Sequence, residues 1–531
     1  MLNLLLFSCA RVGAPNGGTR DSLAPKFLGS NIDTTRLNVS RTVKELRLDF
    51  DEYVMLKDFN KNFNVSPPIK KIKKVIPSNL ANKYVLIQWE DTLQANTTYN
   101  FNFGNAIVDN NESNPLPYFN FAFSTGDKID DLFVSGTVKD AMTLIKENQT
   151  AKDNKMVVGL YKAGENLDYK QKPDYITKVD EENYFELNFL PKGEFVIIAF
   201  DDENQNSVYD AGKEKVSFLK EKITLDSTSV RGLKLKLYPS KKVVKYKESK
   251  AINGGLLMTF EGNPETVDVK SLSEELKDFK VTHAKRSDSV NIWFDAEKSN
   301  LGGNISKQVK LSYFTPTISD TISVSYKAVK DEFKLSNEAG NLIAPENNFV
   351  INTSLPIENL NTSSWKLESD SIAQDFTAKI SEKNPFKILV NSSFKPTKKY
   401  VLTIPKETVS SYYSSNDKSF QFQFEIDKPE NYGSFTAVIK NKPTAKFWVE
   451  LTNEKGEILY SQFTNASEVS FKNLKPATYI ARIRVDNNGN GFWDEADFAQ
   501  NIAAEDVYIF EKEINVRPLW EIKEDWELIN H

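Results

Sequence analysis

Apolar and polar residues alternate along most of this chain, which is the pattern of a β-strand packed on one face. Aromatic residues alternate with asparagine over residues 99–103, and phenylalanine alternates with glutamine and glutamate over residues 420–426. Similar runs recur with Asn, Gly, Pro and Ser between them, as expected of β-sandwiches connected in series. Residues 267–280 give the best helical pattern, so we predict an all-β protein with one short helix.

Two internal repeats divide this pattern into domains. At an offset of 301 residues Tyr99 falls on Tyr400, and three strands align without gaps. At an offset of 284 residues Leu190 falls on Leu474, and a polar loop aligns as well. We name the domains A, B, C, A′ and B′. The predicted bounds are 1–28 for a signal remnant and tether, 29–128 for A, 130–240 for B, 250–328 for C, 331–427 for A′ and 430–531 for B′.

Cys9 follows an apolar run, residues 4–8, that resembles the end of a bacterial lipoprotein signal. This resemblance implies that the Cys9 thiol carries a diacylglycerol and that lipid chains hold the protein on a membrane leaflet. Eight residues without Lys or Arg are short for such a signal, so we expect a basic stretch further upstream. The alternative is an apolar N-terminus with a chance cysteine.

Asp486 begins a segment with the spacing of a twelve-position calcium loop. The predicted ligands are the oxygens of Asp486, Asn488, Asn490, the Phe492 carbonyl, Asp494 and Asp497. Gly491 stands at the sharp turn, whereas Asp in place of the longer Glu at position 12 weakens the match. Because the flanking residues are strand-like, we expect a structural Ca²⁺ that holds a long connection on a sandwich.

An earlier copy of this loop is poorer. Its predicted ligands are Asp202, Asn204, Asn206, Asp210 and Glu214. Ser207 replaces the glycine, and Lys213 brings a positive charge to position 12, so we expect weak or absent binding. For both loops the alternative is that Asn and Asp side chains close Asx-turns by bonding their own backbone.

Composition narrows the classes of function. Lys and Arg total 68 against 73 Asp and Glu, so the net charge of −5 argues against nucleic-acid binding. With one Cys no intramolecular disulfide forms, and the two histidines, His283 and His531, offer little for catalysis or zinc binding. The sequence has neither a phosphate-binding loop nor a nucleophile elbow. We therefore expect a non-enzymatic protein.

Several stretches resemble the outer-membrane lipoproteins of Bacteroidota that begin with an SbsA-type bacterial Ig-like domain. They are residues 15–21, 50–58, 66–68, 93–99, 103–107, 109–112 and 123–127. The resemblance implies a serial array of β-sandwiches, in which A and A′ are Ig-like and B and B′ are transthyretin- or Cna-B-like. It also implies secretion and lipid anchoring, but no reaction.

These observations lead us to expect a lipid-anchored protein of the outer membrane that acts as a structural or docking subunit for other envelope proteins. No acidic cluster follows Cys9, which favours the periplasmic face. The alternative is a glycan-binding surface lipoprotein. Its candidate aromatic residues are Tyr412, Tyr413, Trp493 and Trp520.

Overall fold

The computed structural model describes residues 21–144, 155–164, 168–329, 332–338 and 340–528. Within these ranges the helical segments are α1, Phe59–Asn62, and a 3-10 turn, Pro429–Asn431, so the predicted all-β class is confirmed. The strands form sheets that pack around five separate apolar cores. The chain divides into two compact units, of which the first ends at Leu237 and the second comprises Tyr238 onward together with short earlier stretches such as Ala211–Lys215.

Domain A lies in the first unit and consists of two sheets. One sheet has the order β1-β2-β5-β4 with β7 on β2, and the other has the order β3-β6-β8. The strands are β1 Phe27–Ser30, β2 Glu45–Leu56, β3 Asn64–Ser66, β4 Ile72–Ile76, β5 Asn82–Trp89, β6 Thr98–Gly104, β7 Ile107–Asp109 and β8 Phe119–Ser124. Phe101 and Phe103, from the predicted alternation, are fully buried in the core between the sheets.

Domain B, in the same unit, has sheets β11-β10-β13-β14, with β15 on β13, and β12-β9-β16. The strands are β9 Leu132–Asp140, β10 Met156–Lys162, β11 Tyr175–Lys178, β12 Tyr184–Leu190, β13 Gly193–Asp201, β14 Val216–Phe218, β15 Ile223–Leu225 and β16 Val230–Leu237. The loop that contains Asp202 follows β13, the strand shared by most of these pairings.

Domain C opens the second unit with sheets β17-β18-β21-β20 and β19-β22-β23. The strands are β17 Lys245–Ile252, β18 Gly255–Glu261, β19 Asp268–Ser271, β20 Lys280–His283, β21 Ser289–Trp293, β22 Lys307–Phe314 and β23 Ser319–Tyr326. The helix expected over residues 267–280 is wrong, because Val269 pairs with Tyr313 on β22 and the segment turns at Ser273. Val267, which precedes β19, lies in the apolar core.

Domain A′ has sheets β24-β26-β31-β30, β25-β34-β32-β28-β29 and β27-β33. The strands are β24 Leu335–Asn337, β25 Leu342–Ile343, β26 Phe349–Thr353, β27 Asn359–Leu360, β28 Lys366–Ser369, β29 Ile372–Ala373, β30 Phe376–Ser381, β31 Asn384–Ser392, β32 Lys399–Ile404, β33 Val409–Ser410 and β34 Phe420–Ile426. The Tyr400 hydroxyl accepts a hydrogen bond from the Lys395 backbone N–H at 2.8 Å. Tyr99 accepts the matching bond from Gln94 at 2.9 Å, so A and A′ fix the same turn in the same way.

Domain B′ has sheets β38-β35-β41 and β37-β36-β39-β40. The strands are β35 Gly433–Lys440, β36 Phe447–Thr452, β37 Ile458–Thr464, β38 Glu468–Leu474, β39 Ala477–Val485, β40 Val507–Val516 and β41 Glu521–Glu527. At the offset of 284 residues, the bounds of β12 and β13 fall on those of β38 and β39. The two polar loops therefore leave equivalent strands.

Candidate functional site: the polar loops and the outer face of domain B′

The second polar loop, residues 486–494, is held by bonds from its side chains to its own backbone. Asp486 is 3% exposed, and its carboxylate accepts the backbone N–H groups of Asn490 and Gly491, both at 3.0 Å. Asn490 Oδ1 in turn accepts the Phe492 N–H at 2.7 Å. These are Asx-turn bonds, so the side chains expected to bind a cation also set the conformation of the turn.

The Asp494 carboxylate binds further polar side chains of the loop. Its Oδ2 accepts hydrogen bonds from the amide nitrogens of Asn488 at 2.6 Å and Asn490 at 2.7 Å, and its Oδ1 lies 2.7 Å from Arg286 Nη1. Burial raises the pKa of the Asp494 carboxyl, but these amides and the Arg286 charge outweigh burial and hold that pKa below its usual value. Asp494 is therefore an anion with partners on both oxygens.

A calcium ion fits this arrangement in part. The side-chain amides of both asparagines face Asp494 through their nitrogen atoms. Ca²⁺ binds oxygen ligands, so in this orientation the amides cannot coordinate it. Coordination requires both amides to rotate by half a turn, and Asn490 then gives up its bond from Phe492. In the described ranges no group of three or more His, Cys, Asp or Glu side chains is arranged to hold a metal ion. The calcium site therefore stays a prediction.

Glu505, just before β40, is a loop residue that the sequence pattern did not reveal. It is 6% exposed, and its carboxylate accepts the backbone N–H groups of Asn488 at 3.1 Å and Asp494 at 3.0 Å. Burial raises the pKa of the Glu505 carboxyl. Asp497, the predicted twelfth position, accepts the N–H of Gln500 at 3.2 Å in a separate turn. Glu505, rather than Asp497, therefore closes the network.

The first polar loop, residues 202–210, repeats the main bonds. Asp202 accepts the backbone N–H groups of Asn206 and Ser207, both at 2.9 Å. Asn204 Nδ2 donates to Asp210 Oδ2 at 2.6 Å, which matches the bond between Asn488 and Asp494. Glu214 belongs to the second compact unit, where it is buried and its backbone carbonyl accepts a hydrogen bond from Ser240 Oγ at 2.6 Å.

Within the second unit, the end of the second loop is joined to the linker that precedes domain C. The Lys241 N–H donates to the Ala496 carbonyl at 2.8 Å, and the Ala496 N–H donates to the Pro239 carbonyl at 3.1 Å. Arg286, on a turn of domain C, also lies over the Phe492 ring at 4.7 Å. The loop therefore acts as a joint between domain B′ and neighbouring parts of its unit.

The outer face of the sheet β37-β36-β39-β40 carries charged and aromatic side chains. Glu450 is 1% exposed, and its two oxygens accept hydrogen bonds from Arg482 Nη2 at 2.7 Å and Arg484 Nη2 at 2.5 Å. The Trp448 and Phe463 rings stack with their centroids 4.4 Å apart. This face combines an exposed aromatic edge with a buried ion network.

The candidate glycan-binding aromatics lie in different surroundings. Tyr412 and Tyr413 pack against the A′ core, and the Tyr413 hydroxyl donates to Asp278 of domain C at 3.3 Å. The Trp493 Nε1–H donates to the Glu505 carbonyl at 3.1 Å, so that ring is part of the loop. Trp520 is 49% exposed, and the Arg517 guanidinium lies 4.9 Å from the centre of its ring.

The predicted lipidation site, Cys9, lies outside the described residues, so lipid anchoring stays a prediction. The described part of the chain contains no helix with the length and apolar character needed to cross a membrane.

Comparison with known proteins identifies domain A. Residues 21–125 match the family model of the bacterial Ig-like domain, which confirms that part of the expected resemblance. The match covers one domain, so membership of the whole chain in the Bacteroidota lipoprotein family stays an expectation. No curated protein matches the chain.

Several solved structures resemble the chain weakly. Domains 1–6 of the surface layer protein SbsC share 12% identity over 93% of this chain and 67% of that one, with a TM-score of 0.15. SGBP-B of the Bacteroides ovatus mixed-linkage glucan utilization locus, in complex with a heptasaccharide, shares 10% over 74% and 97%, with a TM-score of 0.21. BcpA, the major pilin subunit of Bacillus cereus, shares 10% over 75% and 99%, with a TM-score of 0.14. At these TM-scores the likeness supports no conclusion about function.

Proposed function

We propose that this chain is a non-enzymatic, lipid-anchored protein of the cell envelope, and that it acts as a structural or docking subunit of an outer-membrane assembly. The observation that carries the proposal is the way domains C and A′ are joined. Trp293, at the end of β21, is 3% exposed and belongs to the A′ core. Lys280 of domain C pairs with Glu358 of A′ at 2.5 Å and lies over the Tyr412 ring at 4.5 Å. A joint in which a side chain of one domain is buried in the core of the next suits a rigid spacer.

Domain C carries an open cleft on its surface. It has a volume of about 370 Å³. Its lining residues are Val267, Asp268, Val269, Lys270, Val281 and Phe314. This set offers one carboxylate and one amine beside apolar walls.

The proposal is tested by following the chain in its native envelope. We expect acylation at Cys9, recovery in the outer membrane, and crosslinks to at least one other envelope protein. Cys9→Ser should release the chain from the membrane fraction. A matched control, Cys9→Ser with Ser22→Cys, retains one thiol at a different position and should also be released. An unacylated chain in the cytosol, or an envelope in which no protein crosslinks to it, contradicts the proposal.

A second candidate function is glycan binding, which exposed aromatic side chains favour. Phe463 is 44% exposed and Trp520 is 49% exposed, both in domain B′. Flat, accessible rings are the surfaces on which sugar rings pack in binding sites.

A further inference from the structure

The outer edge of β37 in domain B′ is a strand edge without a partner. In the described part of the chain β37 pairs with β36 alone, so no strand lies beside its other edge. Ile458, Leu459 and Phe463 of this strand are 45%, 48% and 44% exposed. An exposed apolar strand at the edge of a sheet is a template on which a further strand can pair.

Charged residues do not protect this edge. Residues 458–464 include no Asp, Glu, Lys or Arg. The other edge strands of domain B′ are β38, β40 and β41, and each of them contains at least two charged residues. Charges on an edge strand are one of the devices that prevent pairing with a further strand. Of the four edges of this domain, the edge of β37 is therefore the one open to pairing.

The corresponding edge of domain B is covered. β11 has the place of β37 in the sheet order β11-β10-β13-β14, and its residues Tyr175, Ile176 and Thr177 are 2%, 7% and 8% exposed. Domain A, in the same compact unit, supplies part of the cover, since the Ile176 N–H donates to Ser66 Oγ at 3.2 Å. The same edge is thus an interface in domain B and an exposed surface in domain B′.

A second copy of β37 fits this edge in an antiparallel, two-fold arrangement. The ladder of β37 with β36 shifts at Leu459 and is regular beyond it. When two copies pair about Ser461, Leu459 of one copy comes beside Phe463 of the other. Apolar cross-strand neighbours of this kind stabilise a pair of strands. The small Ser461 side chain then lies at the two-fold axis, where a bulky residue would meet its own copy.

The residues near the two ends of β37 carry opposite charges. At one end lies Lys446, whose Nζ is 5.7 Å from the Phe463 ring. Glu457 precedes β37 at the other end, and both charged residues are exposed. Antiparallel pairing brings Lys446 of each copy to the end occupied by Glu457 of the other. Charge complementarity therefore favours the antiparallel pairing of two identical strands.

We propose that β37 is a dimerisation edge, at which two copies of this chain join their four-stranded B′ sheets through antiparallel β37 strands. Two-fold pairing covers the exposed edge on both copies, so the assembly closes as a dimer. The inference goes beyond the proposed docking role, because the partner is a second copy of this chain. It does not depend on the lipid anchor.

The test uses the full chain with Cys9→Ser, which removes the predicted lipid attachment and the one thiol. A single strand pair gives a small interface, so we expect a Kd on the order of 10 µM. Sedimentation velocity should then show mostly monomer at about 1 µM and mostly dimer at about 100 µM. Leu459→Lys should weaken the dimer about tenfold, because it places a charge on the open edge. Ile372→Lys, at a 66% exposed position on the edge strand β29, is the matched control and should leave the Kd unchanged.

Two further variants test the direction of pairing. Phe463→Glu should weaken the dimer as Leu459→Lys does, whereas the double variant should recover most of the loss, because the introduced charges of the two copies are opposite and adjacent. Ser461→Cys, with Cys9→Ser, should form a disulfide-linked dimer on mild oxidation. Ser323→Cys, on the exposed edge strand β23 of domain C, is the control and should not.

Three results overturn the proposal. They are a monomer at every concentration up to about 100 µM, a dimer that Leu459→Lys leaves unchanged, and crosslinking of Ser323→Cys as complete as that of Ser461→Cys. Near-ultraviolet circular dichroism checks that each variant keeps its fold. All these measurements use the purified chain, so failure here is distinguishable from failure of acylation or of docking in the envelope.

Discussion

The two polar loops have the same internal bonds and different surroundings. Asp202 and Asp486 each accept two backbone N–H groups at 2.9–3.0 Å, at equivalent positions of their loops. In the second loop Arg286 and Glu505 add a charged partner and a buried carboxylate. The comparison teaches that local Asn and Asp side chains are sufficient to shape the turn, while long-range contacts determine what the turn is attached to.

The loops also differ in how their backbone is accommodated. Gln205 and Ser207 have φ angles of 59° and 62°, in the left-handed region that favours glycine. The equivalent residues of the second loop are Gly489 and Gly491, with φ angles of 73° and 83°. The second loop therefore reaches the same conformation with less strain.

The largest effect should come from breaking the Glu450 ion network of domain B′, which has no counterpart among the described residues of domain B. We expect Glu450→Ala to lower the free energy of unfolding of B′ by about 3 kcal/mol, because the buried guanidinium of Arg482 and the partly exposed one of Arg484 lose their counterion. Urea unfolding, with hydrogen exchange on β36 and β39, measures this loss. As the control, Glu450→Leu with Arg482→Ile and Arg484→Phe gives the face the character of domain B, where Ile198 and Phe200 stand at the two arginine positions, and should recover most of the stability. A loss under about 1 kcal/mol for Glu450→Ala would show that the network is not stabilising.

If the predicted site binds calcium, the ion should stabilise the domain that carries the second loop and not the domain that carries the first. At a free concentration one hundred times Kd, Ca²⁺ should stabilise B′ by about 2.7 kcal/mol relative to chelator. Asp486→Ala should abolish this shift, whereas Asp202→Ala should preserve it because the first loop is the poorer match. Identical melting curves in calcium and in chelator contradict the metal assignment.

Without metal, the loops should respond alike. Asp486→Ala and Asp202→Ala each remove a carboxylate that accepts two backbone N–H groups, and each should cost about 2 kcal/mol in its own domain. Thermal unfolding in chelator measures both losses. Asn487→Ala, an exposed change in the same loop, should cost much less and serves as control. If the two Asp variants lose clearly different amounts of stability, the contacts around each loop contribute more to that loss than the bonds that the loops share.

The smallest effects should come from exchanging the turn residues. Gly491→Ala should cost about 1 kcal/mol from backbone strain alone, because an added Cβ meets no atom within 4 Å. Ser207→Gly should gain about 0.5 kcal/mol, since relief of strain is partly offset by the freedom of glycine in the unfolded chain. Chemical unfolding measures whether each variant has a lower or a higher free energy of unfolding than the parent chain. A stabilising Gly491→Ala variant would refute the strain argument.

The sequence predicts those features that depend on neighbouring residues. The period of two places Phe101 and Phe103 in a core, and the Asp and Asn spacing predicts where the polar loops lie. Glu505 escapes prediction because only the folding of β40 beside β39 brings it under the loop. The placement of Phe463, Trp448 and Arg484 side by side depends on the register of three strands. The helix expected near Val269 fails for the same reason, since pairing with β22 outweighs a local pattern.

The pairing of Ala496 with the Pro239–Lys241 linker has a mechanical consequence. The linker enters domain C directly, yet it is also bonded to the last sandwich. Tension applied between Tyr238 and the end of domain B′ therefore passes through these two hydrogen bonds first. Domains C and A′ lie within the loop that these bonds close, so the two hydrogen bonds and the pair of Arg286 with Asp494 take up part of a pulling force before the cores of C and A′ do.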